Sequence, residues 1–191
     1  MTTERDKKRH LSHSYFTDSE QLLHRAVKSL EDPLSLRTSY RGKIATDLIM
    51  SIECALKSLL CTSSPDSETV KELYSRLLGF SHHLTKLADA LVSRSVTVPD
   101  GAKPALDEIY PVGVRLRYAL DTFTEIALGD KLPPSYDFTE EAGMQRLNSL
   151  AETLSKFAKA EMQREFSELV TMMGSDIPDF YRELALIARK S

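Results

Sequence analysis

Along most of the chain apolar residues recur every three to four positions, and that period predicts helices. The clearest stretch begins at Tyr40, where Ile44, Leu48, Ile49, Ile52, Ala55, Leu56, Leu59 and Leu60 form a wide stripe. Such a stripe suits a central helix. Thr62-Ser63-Ser64-Pro65-Asp66 reads as a loop by composition. A third helix over 67–78 turns Val70, Leu73, Tyr74 and Leu77 inward and stops at Gly79. A fourth restarts near Ser81, with Leu84, Leu87, Ala88 and Leu91 inward.

The flanking segments follow less sharply. Thr17 and Glu20 are spaced as a capping box, so the first helix is expected to begin near Thr17 and to bury Leu22, Leu23, Ala26, Val27 and Leu30. Residues 1–13 are polar and charged, and are expected to form a flexible, solvated tail or a basic arm. A fifth helix starts near Pro104 and is interrupted at Pro111 and Gly113. A long sixth is expected from about Thr139 towards Met173, with part of it projecting or pairing with a partner. A last short one follows Pro178. The fold class is therefore all-α: an antiparallel bundle of about five core helices, a long helix and a short C-terminal helix. The best boundary is Pro133-Pro134, which divides a bundle at 14–132 from a C-terminal extension at 133–191 packed on it.

Composition narrows the function classes. The chain has 191 residues, 41% hydrophobic and 28% charged, which is ordinary for a globular protein. The formal net charge is -3, so any nucleic-acid binding needs a local patch. No apolar run reaches the ~18 residues of a membrane span, and no apolar core follows the N-terminal charges. The expectation is a cytoplasmic protein without membrane contact. Cys54 and Cys61 are seven apart; on one helix that is about 10 Å, beyond the ~7 Å reach of a disulfide. No Gly-rich phosphate loop, Gly-x-Ser-x-Gly turn or Glu-x-x-His motif occurs. His10, His13 and His24 stand apart as surface histidines, and no metal or cofactor is expected.

Three short motifs carry chemistry. Glu53-x-x-Leu56-Lys57-x-Leu59-Leu60 lies on the central helix, His82-x-Leu84-x-x-Leu87 opens the fourth, and Arg117-Tyr118 lies in the fifth. In order and spacing they resemble the HEPN family, helical domains of prokaryotic toxin–antitoxin and defence proteins. The resemblance covers roughly residues 15–128. It implies a helical domain binding RNA or nucleotide, as a homodimer or with an antitoxin-type protein partner. Active members use an arginine followed four to six residues later by a histidine, for metal-independent RNA cleavage. The histidine moves a proton at the ribose 2′-OH and the arginine stabilises phosphate charge.

Arg76 with His82 has that spacing and is the candidate catalytic pair; His83 also fits. Leu77 and Gly79 stand against it, because an apolar neighbour and a helix break disturb the shared face. His82 is also the family's structural histidine in the second motif. Glu53, Lys57, His83, Arg115, Arg117 and Tyr118 are the candidate ligand or phosphate-binding residues. Glu53 and Lys57 also read as a surface i, i+4 pair, and the arginines as solvated. The alternative to an RNA-associated role is a non-catalytic helical scaffold that docks a protein partner.

Overall fold

Thr3, not Thr17, starts the first helix. Its hydroxyl accepts from the Asp6 N–H and the Asp6 carboxylate accepts from the Thr3 N–H, so a capping box closes at the very start of helix α1, Glu4–Leu30. The computed structural model describes residues 3–33, 38–109, 140–166 and 176–189. Among these, the further helices are α2 (Thr38–Thr62), α3 (Val70–Gly79), α4 (Leu84–Ser93), α5 (Ala102–Ile109), α6 (Glu141–Glu165) and α7 (Asp176–Ala188). The protein is all-α, and among the described residues no strand forms.

Of the expected flexible tail at 1–13, residues 4–13 are helix instead, because their polar side chains find partners on other elements. Lys8 is buried and donates to the Pro65 carbonyl at 2.6 Å. The Glu4 carboxylate accepts from the Val70 N–H at 2.8 Å, capping α3 from outside. Leu11 and Phe16 enter the core beside them.

α1 and α2 pack antiparallel along a seam of small residues. Ser12 and Ser58 exchange hydroxyl-to-carbonyl bonds at 3.1 and 3.0 Å, and Ser19 and Ser51 do the same at 2.9 Å each way. Ala26 continues the seam on α1. Short side chains let the two backbones approach, and each buried hydroxyl is satisfied. α2 is central: Ile44, Leu48, Ile52, Leu56, Leu59 and Leu60 are fully buried. α6 lies on α2 through Met144, Leu147, Leu150, Ala151 and Leu154, while α4 meets α2 and α5 meets α4.

Three expectations change in detail. α6 ends at Glu165, where Phe166 leaves the helical region, and its buried apolar stripe from Met144 to Ala158 packs into the bundle, while residues 167–173 of the expected helix lie outside the described residues. α3 begins at Val70, since Thr69 and Glu72 form a second capping box. α4 begins at Leu84 and not at Ser81, with His83 as its N-cap residue. The interruption at Pro111 and Gly113 and the boundary at Pro133-Pro134 lie outside the described residues.

Candidate functional site

The joint between α3 and α4 turns at Ser81, whose φ of 50° is left-handed, and not at Gly79, which is the last residue of α3. That turn lays His82 against α2. The His82 Nδ1 is 2.8 Å from Glu53 Oε2, and Lys57 Nζ is 2.6 Å from Glu53 Oε1. Glu53 and Lys57 do pair at i, i+4, but in the interior: their side chains are 8% and 12% exposed, so the surface reading of this pair is corrected. Lys57 Nζ also stands over the Tyr15 ring, 5.7 Å from its centre. A charge removed from water this far needs such partners on every side.

Arg76 belongs to a different cluster. Its guanidinium meets Glu68 Oε1 at 2.6 Å, and Arg94 meets Glu68 Oε2 at 2.7 Å. Arg94 also donates to the Leu60 carbonyl, and Ser64 Oγ donates to Glu68 at 2.8 Å. One carboxylate thus ties the α2–α3 loop, α3 and the end of α4 together. The candidate catalytic residues are not joined by a shared partner: His82 goes with Glu53 and Lys57, Arg76 with Glu68 and Arg94. His83 takes the N-cap place of α4 without a side-chain capping bond. Arg115, Arg117 and Tyr118 lie outside the described residues.

Nearby groups with nucleophilic atoms are held neutral. Burial, then Glu53 and Asp18, pushes the Cys54 thiol up to about 12. Burial raises the Cys61 thiol and the Tyr15 hydroxyl well above their usual values. A thiol attacks as thiolate, so neither cysteine is activated. Among the described residues no group of three His, Cys, Asp or Glu side chains is placed to hold a metal ion, and no helix is long and apolar enough to cross a membrane.

Sequence reasoning missed Glu68, Arg94 and Tyr15. Glu68 lies eight residues before Arg76 and Arg94 eighteen after it, and no local spacing rule links such positions. Tyr15 fell in the segment where the first helix had not been expected to begin. Compared with protein-family models, curated proteins and solved structures, the chain matches none.

Proposed function

We propose that this chain is a non-catalytic, HEPN-like helical module that works by binding a protein partner, either a second copy or a separate antitoxin-type chain. One observation carries the reading. Arg76 and His82, the two side chains that would perform RNA cleavage, are each tied to a different carboxylate on the inner side of the bundle. Glu68 holds Arg76 through Nη2 and is shared with Arg94, so the guanidinium is anchored in a structural cluster, on a different carboxylate from the one that holds His82. A histidine fixed by Glu53 and packed at the α3–α4 joint serves the joint first. Lys57, the described cation of the central helix motif, is likewise committed to Glu53.

The test is a cleavage and binding assay with labelled RNA at low salt, on the full chain and on Arg76→Ala and His82→Ala. The expected result is no cleavage by any of the three, with both variants lowered in thermal midpoint. Cleavage by the parent chain, abolished in a variant that remains folded, overturns the proposal in favour of a ribonuclease. Saturable RNA binding that is lost in Arg115→Ala or Arg117→Ala would instead restore the RNA-binding reading. Sedimentation of the chain alone separates self-association from the need for another protein.

A further inference from the structure

A groove of about 700 Å³ runs between α1, α3 and α7. Tyr15 and Asp18 reach it from α1, Tyr74 from α3 and Tyr181 from α7, with His13 and Ser14 at its polar edge. No lysine or arginine is among its described lining residues. Three phenol rings and a carboxylate make an electron-rich wall, because the face of an aromatic ring carries partial negative charge.

Asp18 gives the groove a sign: it forms no ion pair among the described residues, and partial burial raises its carboxyl with no cation to oppose the shift. The Tyr15 ring is already occupied by the Lys57 ammonium, 5.7 Å from its centre, so Tyr74 and Tyr181 are the rings left to a ligand. The walls are also fixed in advance. The Tyr181 hydroxyl is 3.3 Å from His10 Nε2 and 3.1 Å from Ser14 Oγ, and its ring meets His10 and Phe180 edge to face. Yet Tyr181 remains 45% exposed, so the ring is held and still open to a ligand. A ring held beforehand loses little freedom on binding.

We infer that this groove is a binding site for an organic ammonium group, with Asp18 as counter-ion and the tyrosines as its walls. A phosphate-bearing ligand is the wrong charge for it, so the site is distinct in chemistry from any contact with RNA. The ammonium has two sources, a free alkylamine or the lysine side chain of a protein, and one experiment covers both.

The full chain is titrated at pH 8, above the range in which free imidazole carries charge, and backbone amide shifts are followed by NMR. The probes are n-butylammonium, its neutral isostere 1-butanol, and a capped Gly-Lys-Gly peptide with its Nε-acetyl form. Saturable shifts around residues 13–18, Tyr74 and Tyr181 are expected with the charged probe of each pair and not with the neutral one. The Asp18→Asn substitution should weaken binding about tenfold and leave the thermal midpoint where it was. Tighter binding of the free amine or of the lysine peptide identifies the source, and either supports the site. Equal response to the neutral probes, no saturable shift with either cation, or full affinity in Asp18→Asn overturns the inference.

Discussion

Glu53, buried, and Glu68, half-buried, are two carboxylates that solve the same problem differently. Glu68 draws both its cations from arginines, one on α3 and one at the end of α4. Arginine keeps its charge at any ordinary pH and presents several donors in a rigid fork, so this cluster is permanent and multiply bonded. Glu53 takes a lysine from its own helix and a histidine from the α3–α4 joint. The imidazole can donate to a carboxylate in its neutral form as well as its charged one. Glu68 is therefore a rivet for three segments, whereas Glu53 is a latch for one turn. Both explain how a short joint turning at Ser81 keeps a single geometry on an apolar central helix.

The largest expected effect comes from removing the rivet. Glu68→Ala leaves Arg94, only 12% exposed, facing the Leu60 carbonyl without its anion. The loss should be about 3–5 kcal/mol, read by urea unfolding; a loss as small as that of an exposed pair would remove the distinction between the clusters. Glu53→Ala should cost less, about 2–3 kcal/mol, because Lys57 has a flexible stem and the Tyr15 ring to lean on. His82→Ala should cost less again, about 1 kcal/mol, since the imidazole is partly exposed. A double-mutant cycle of Glu53→Ala with His82→Ala then gives the worth of the latch itself.

Two smaller measurements sharpen the picture of the joint. Ser81→Gly should stabilise the fold by up to about 1 kcal/mol, because a left-handed φ strains any residue with a Cβ. No such gain is expected from a glycine placed anywhere else in the turn. A pH series then reports on a half-buried histidine of α1, His10, which packs edge to face on Phe180 and Tyr181. Burial, and then the neighbouring His13, lowers the pKa of His10. The folded state therefore prefers neutral His10, and this contribution is whole above the ordinary histidine range and is lost as pH falls through it. Thermal midpoints between pH 8 and 5 should fall less steeply in His10→Phe than in the parent.

Much of the bundle was legible because burial follows period. The stripe of Ile44, Leu48, Ile52, Leu56 and Leu59 can face a core in only one way, and that makes α2 readable. The start of α1 was not. Over residues 4–14 only Leu11 is strongly apolar, and the positions that enter the interior are Lys8 and Ser12, whose partners lie some fifty residues further on. Local pattern was equally double-edged for caps. Thr17 with Glu20 and Thr69 with Glu72 have the same spacing, but only the second pair caps a helix start. At the candidate site the spacing of Arg76 and His82 was visible while Glu68 and Glu53 were not tied to them, and it is the partner that decides what each side chain can do.

The serine seam has one more consequence. Residues 12 and 19 face 58 and 51, so both helices carry the same seven-residue interval. A slide of α1 by one heptad would set Ser19 opposite Ser58 and keep half of the ladder. The ladder alone is thus a scale with repeated marks, able to be read one step out. What picks the right mark is the pair of clasps at its ends, Lys8 on Pro65 with Glu4 on Val70 at one and Arg25 on Asp47 at the other. Shorten the chain past Lys8 and α1 should still find α2, with Arg25 on Asp47 left to hold the alignment.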